Sequence, residues 1–306
     1  MIKTPIVKFN NGNNKITLYN DGTQIVKGDM NFEYPLTIDC KISSLCTMNC
    51  PFCYEGNNEN GKIADFNQDW INSLPPYTEI AVNLNDPIDD ESLDVYNFLH
   101  KLKEKKIITN VTINFNTFKD FHYVLEAWQK KGLIYGIGVS LTDKFFEDPE
   151  FYVKGRFKKF KNLVIHTIFG ITSYKDYETL SKYYPEAKIL ILGYKDKGRG
   201  INYHKENKAI NFNQKQVLDN FEELYDMFDT ITFDCLAVKQ LDIKNKVPKE
   251  VYELNYLGDD GTRSMYIDMV NKKFASSSLS TKTYDITDNI KDMFSIIKAE
   301  NYKGEL

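Results

Sequence analysis

The sequence predicts an α/β fold built on a parallel sheet, and three observations carry that reading. From residue 35 onward, short apolar segments of strand character alternate six times with stretches of helical periodicity. Those helical stretches suit crossovers, since the link between two parallel strands takes about a dozen or more residues and is usually helical. A chain of 306 residues, 42% of them hydrophobic, is also long enough to bury a substantial core in one large domain with additions.

The elements follow in order. Near the N-terminus, Lys15-Ile16-Thr17-Leu18-Tyr19 and Gln24-Ile25-Val26 alternate in polarity about Asn20-Asp21-Gly22, which predicts a β-hairpin appended at residues 1–34. Strands are expected at residues 36–42, 79–84, 107–115, 134–141, 163–171 and 188–194. Helices are expected around Trp70, at 90–105, 118–131, 174–184 and 214–228, with a poorer stretch at 145–161. Residues 35–228 thus form the core, as an open doubly wound sheet or a partial barrel, between which periodicity does not choose. Beyond it the alternation breaks. Residues 230–238 read as another strand, and 264–275 as a strand or hairpin arm after the turn Gly258-Asp259-Asp260-Gly261, so 229–306 is expected to be an extension packed on the core.

The first ten residues show no apolar signal region and nothing approaches the roughly 18 apolar residues of a membrane span, so a cytoplasmic location without membrane partners is expected. The net charge of -4 is mild and basic runs such as 154–161 are short, which argues against nucleic acid as a partner. Five cysteines are few and odd in number, and three fall within eight residues, which suits a metal site in a reduced compartment better than a disulfide framework. Cys40 and Cys235 lie in apolar, strand-like surroundings and are expected to be small buried hydrophobes.

The remaining three cysteines stand in Ser43-Ser44-Leu45-Cys46-Thr47-Met48-Asn49-Cys50-Pro51-Phe52-Cys53-Tyr54, directly after the first core strand, with CxxxCxxC spacing. Thiolates this close on a loop can converge on a soft metal or an iron-sulfur cluster. A structural zinc site is usually closed by four ligands, and His100, the nearest histidine in sequence, has no motif pairing it to this loop. An electron-transfer cluster also wants four cysteines, so three would leave one iron open.

With Phe52 in the aromatic place of CxxxCx(aromatic)C, this segment resembles the signature of the radical S-adenosylmethionine (SAM) superfamily, and the resemblance covers roughly residues 35–228. The whole chain is similar to uncharacterised single-cluster members from bacteria and phages. The resemblance implies a partial (β/α)6 TIM-like barrel, with a [4Fe-4S] cluster on Cys46, Cys50 and Cys53 and with SAM at the C-terminal ends of the strands. It further implies reductive cleavage of SAM to a 5'-deoxyadenosyl radical that takes hydrogen from a substrate, and an electron donor such as flavodoxin or ferredoxin. The family's Gly-Gly-Glu-Pro segment matches Leu84-Asn85-Asp86-Pro87, where both glycines are absent. Asn85 and Asp86 would then meet the SAM amino group, with Asn85 tolerating unusual dihedral angles, or the stretch is a plain turn.

At the ends of the third and fourth strands, Asn116 and Ser140 are candidates for the SAM ribose or carboxylate, or ordinary strand-end polar residues. In His166-Thr167-Ile168-Phe169-Gly170, Ile168 matches the isoleucine that packs on adenine. Alternation puts His166 on the same face, deeper, to bind substrate or satisfy a core hydrogen bond. Lys195 and Arg199, in a glycine-punctuated loop after the sixth strand, can meet a carboxylate or phosphate or be solvated. Asp259-Asp260 suits a cation or, more economically, a turn.

The implied function is radical SAM catalysis on an unidentified small molecule, nucleotide or peptide. With only Cys235 beyond residue 228, auxiliary clusters are not expected. Two alternatives remain: a macromolecular target such as a precursor peptide or RNA, and a non-catalytic iron-sulfur or zinc module that binds a protein or RNA.

Overall fold

Period-two alternation builds the core. The computed structural model describes residues 3–85 and 93–304, with side chains as far as residue 300. Three strands form a small antiparallel sheet: β1 (Pro5–Asn11), β2 (Asn14–Tyr19) and β3 (Gln24–Lys27). Ten more share one large sheet: β4 (Thr37–Lys41), β5 (Glu79–Asn83), β6 (Ile108–Asn114), β7 (Gly136–Ser140), β8 (Leu163–Ile168), β9 (Lys188–Leu192), β10 (Thr230–Phe233), β11 (Ser264–Asp268), β12 (Lys273–Ala275) and β13 (Tyr284–Asp285). Their order is β10-β9-β8-β7-β6-β5-β4-β11-β12-β13, parallel from β10 through β11 and antiparallel beyond. This is a mixed α/β fold on a mostly parallel sheet that does not close on itself.

One face of each parallel strand except β10 is buried, through residues such as Ile38, Ile80, Val82, Val111, Ile113, Val139, Ile165 and Ile191. The apolar residues of the crossover helices join the same core, among them Phe98, Leu99 and Leu102 of Leu93–Glu104 and Phe118 and Leu125 of Phe115–Lys130. Burial of this kind, at about 25 cal/mol per Å² of apolar surface, is the main favourable term holding the layers together. The other face, with Asp39, Glu79, Asn83, Asn110, Thr112 and His166, is polar, and it surrounds a cavity. Residues 86–92, with Asp86 and Pro87, fall outside the described residues.

The structure shifts several sequence expectations. Residues 229–306 add β10 at one end of the parallel array and β11 beside β4 at the other, so eight strands run parallel where six were expected. The expected strand 230–238 stops at Phe233, because Asp234 accepts from the Ala237 amide (2.7 Å) and caps the helix Cys235–Gln240. Cys235 therefore opens a helix. Asn116 lies in the first turn of Phe115–Lys130, not at a strand end, since the Asn114 side chain accepts from the Thr117 amide (2.9 Å) and starts the helix early. The region around Trp70 is a 3-10 helix, Asp69–Ser73, and the segment before β10 is divided among Gly200–Glu206, Ala209–Asp219 and Phe221–Asp226.

The N-terminal piece is more than a hairpin appendage. Besides gaining β1, it inserts its β2–β3 turn at the N-terminal edge of the large sheet. There the Tyr135 hydroxyl donates to the Tyr19 carbonyl (2.6 Å), the Lys188 ammonium to the Asp21 carbonyl (2.6 Å), and the Gln24 amide to Glu79 Oε2 (2.7 Å). Asp21, Gly22 and Thr23 thereby become a floor for the cavity. No helix among the described residues is long and apolar enough to cross a membrane.

Candidate functional site

The cavity holds about 590 Å³ and is touched by residues from every one of the eight parallel strands, with Tyr54, Glu55 and Lys195 at the end where the strands finish. Pockets that hold small ligands span roughly 300–1,000 Å³. Strand alternation shapes this space: the buried apolar residues of each core strand turn outward to the helices, and the inward positions mix polar side chains with smaller or half-buried apolar ones such as Ala81, Val164 and Leu190.

The cysteine loop leaves β4 at that same end. Bridges between Ser43 and Ile63 and between Leu45 and Asn58 fold it back, and the Cys46 amide donates to the Asn58 carbonyl (2.9 Å). Asn49 takes φ +44, a left-handed conformation asparagine tolerates well, which turns the chain between Cys46 and Cys50. All three cysteines are half-buried.

Arg199 clamps this loop from the far side of the sheet's sequence. Its amide donates to the Cys53 carbonyl (3.1 Å), its Nε to the Cys50 carbonyl (3.0 Å) and its Nη2 to the Asn57 carbonyl (3.0 Å). Gly198 makes the approach feasible. It sits at φ +57, and a Cβ there would lie 2.4 Å from the Tyr54 carbonyl oxygen. Phe52 packs on Tyr203, ring centroids 5.9 Å apart, in the helix that follows Arg199. Lys195, the other candidate of that loop, donates to Ser278 Oγ (3.0 Å) and lies over the Tyr54 ring, 3.9 Å from its centroid. Neither cation is simply solvated.

A hub that sequence reasoning missed lies next to the loop. Glu55, 6% exposed, faces the Lys41 ammonium at 3.4 Å and accepts from Asn57 (2.9 Å) and the Tyr266 hydroxyl (3.2 Å). Asp268 stands 3.8 Å from the same ammonium. A signal for half of it existed: Asp39 and Lys41 alternate with apolar residues in β4, which marks a charged inner face.

Among the remaining expected site residues, Asn85 does adopt the unusual backbone anticipated for it, φ +39, and its amide donates to the Ser43 carbonyl (3.1 Å), tying the end of β5 to the start of the cysteine loop. Asn116 also reaches that loop, donating to Met48 Sδ (3.5 Å) and accepting from Thr142 (2.8 Å). Ser140 and Ile168 end β7 and β8 further round the same edge. Asp259 takes the turn reading: its carbonyl accepts from Thr262 and its carboxylate pairs with Lys239 (3.0 Å). Among the described residues, no three His, Cys, Asp or Glu side chains gather tightly enough to hold a metal ion.

No family model matches the chain, and no curated protein sequence does.

Deeper in, the inner-face groups are tuned by enclosure. The His166 imidazole occupies the space over Gly138, where a Cβ would lie 2.3 Å from the ring. Burial lowers its pKa to about 4, so it is neutral at pH 7. Burial raises Glu79 to about 7, despite Arg263 nearby and the bond from Asn110. The two groups act on stability in opposite directions. Between about pH 4.5 and 7 the folded chain keeps a proton on Glu79 that the unfolded chain releases, so this group's contribution falls as pH rises. His166 does the reverse between about 4 and 6.5, where the unfolded chain binds the extra proton. Comparing thermal melts of wild type and Glu79→Gln isolates one of them. The variant's melting temperature should decline less, or climb more, from pH 5 to pH 7.5 than the wild type's, and parallel curves would refute the assignment.

Proposed function

We propose that the chain is a radical SAM enzyme, with Cys46, Cys50 and Cys53 as ligands of a [4Fe-4S] cluster and the parallel strands as a partial (β/α)6 TIM-like barrel extended by β10 and β11. The observation that carries this is placement. A CxxxCxxC loop leaves the C-terminal end of the first core strand and stands, half-buried, next to Tyr54 and Glu55, which line the end of the cavity.

The donor set fits such a cluster. Three thiols are present and the neighbouring carboxylate, Glu55, is engaged by Lys41, Asn57 and Tyr266, so it is not offered as a fourth ligand. A cluster places its own iron and sulfide atoms between its ligands, so its thiolates stand farther apart than those around one ion. When bound, the cluster and SAM would supply an electron and a 5'-deoxyadenosyl radical able to abstract hydrogen from a substrate.

The protein's part is positioning. Arg199 fixes the carbonyls of Cys50 and Cys53 and brings a positive charge against a loop that carries thiolates when loaded. Asn85 anchors the loop to the end of β5, and Asn116 to the first turn of the helix Phe115–Lys130. Phe52 and Tyr203 cover one flank with apolar surface, which limits water at the reacting end. The size of the cavity, about 590 Å³, favours a small molecule, or the side chain of a larger one, as the hydrogen donor.

Anaerobic reconstitution followed by SAM and a strong chemical reductant tests the reading. Roughly four irons per chain, as for a single cubane cluster, and accumulation of 5'-deoxyadenosine are expected. Stoichiometric zinc with no SAM cleavage would favour a non-catalytic metal module instead.

A further inference from the structure

The cavity walls carry hydrogen-bonding groups that the protein leaves open. Asp39 on β4, Asn83 on β5, Thr112 on β6 and His166 on β8 all line it. Among the described residues, none of these four side chains has a hydrogen-bond partner, and His166 Nδ1 is shut off from solvent. Asp39 is exposed and the other three are half-buried, so apart from His166 Nδ1 their polar atoms face the open space of the cavity, where a ligand can take the place of water.

Their arrangement is regular. Asn83 pairs in register with Thr112, and Thr112 with Gly138, the residue whose bare backbone makes room for the His166 ring. These three therefore form a belt at one level of the sheet. Asp39 lies one inward position below, in register with Ala81, whose methyl leaves the carboxylate clear. Val164, Leu190 and Leu192, from β8 and the neighbouring β9, add apolar surface to the same lining.

Charge selects the ligand. The cations that act on Asp39 are Lys195 and Arg263, opposed by Asp260 and Asp234, and Arg263, whose Nε is buried without a partner, is not among the residues lining the cavity. Lys195 is already spent on Ser278 and the Tyr54 ring, and Lys188 on the Asp21 carbonyl. An open carboxylate is thus present without an open ammonium to match it. A neutral imidazole, an amide and a hydroxyl can each donate and accept.

We infer that this chamber binds a small hydroxylated amine, its ammonium on Asp39, its hydroxyls on Asn83, Thr112 and His166, and its carbon frame against Val164, Leu190 and Leu192. Naming that molecule a substrate rests on the function proposed above, whereas its binding does not.

Isothermal titration with three probes of one size separates the chemistry: glucosamine, glucose and glucuronate, applied to the full chain at pH 7 without added iron or SAM. Glucosamine should bind roughly tenfold or more tighter than glucose, the scale of one charge-assisted hydrogen bond, and glucuronate should give no heat. Asp39→Asn should bring glucosamine down to the level of glucose. Thr112→Val, a change of similar volume, should weaken both sugars together while keeping the preference. Glucuronate binding as well as glucosamine, no binding of glucosamine, or a preference that survives in Asp39→Asn would each overturn the inference. Because no step depends on the cluster, a protein that fails to cleave SAM can still pass this test, and one that cleaves it can still fail.

Discussion

Replacing Cys50 with alanine should take reconstituted iron from roughly four per chain to well under one and bring 5'-deoxyadenosine to the no-enzyme background. The contrast that gives this force lies in the other two cysteines. Cys40, 2% exposed, faces outward from β4 into the helix layer, and burial pushes its thiol far above the usual range. Cys235 is held up at about 12 by burial, with Asp260 beside it. Thiols so disfavoured as thiolates are poor metal ligands. Cys40→Ala should therefore keep its full iron content while losing on the order of 1 kcal/mol of packing, and Cys235→Ala should keep its iron too. Iron and sulfide determination with the visible absorbance of the reconstituted proteins decides the matter. Equal iron in Cys50→Ala and wild type would sink the cluster assignment.

Glu55→Ala should be among the most damaging single substitutions outside the apolar core. It would strip the Lys41 ammonium, 8% exposed, of its nearer carboxylate and leave the Tyr266 hydroxyl and the Asn57 amide to find new partners. Removing one member of a buried ion pair typically costs about 3–5 kcal/mol, since the charge left behind stays desolvated. Asp268, 3.8 Å from that ammonium, offsets part of the loss, so roughly 3 kcal/mol is expected from urea unfolding. Glu55→Gln should cost less, because the amide can still accept from Tyr266 or Asn57. The position is two residues beyond Cys53, so the alanine variant should also retain less iron. A loss below about 1 kcal/mol, the level of an exposed pair, would mean that the hub is solvated in practice.

The layered α/β plan was legible because its signal is local: apolar residues at every second position mark strands, and turn residues mark where they stop. Pairings between distant segments were not. That Ser264–Asp268 would lie parallel to β4 depends on which strand edge was vacant, which no window of the sequence records. The same limit explains Arg199. Its residue type pointed to an anion, yet its partners are carbonyls almost 150 positions earlier, and only the close approach at Gly198 brings the two loops together. Asn85 was legible in its backbone conformation because asparagine's tolerance of positive φ is intrinsic to the residue. Asn116 was expected at a strand end because the capping bond of Asn114, the last residue of β6, starts the helix at once, and that bond leaves little mark in the β pattern before it.

The turn at Asp21–Thr23 bears on how the protein is handled. Seated by Tyr135, Lys188 and Glu79, it acts as a stopper in the end of the chamber opposite the cysteines. A fragment begun at residue 35 would be an unstoppered vessel: water would enter from beneath, and Lys188 would be left to seek a partner in the space meant for a ligand. The first thirty-four residues belong in every preparation in which the chamber is to keep its floor.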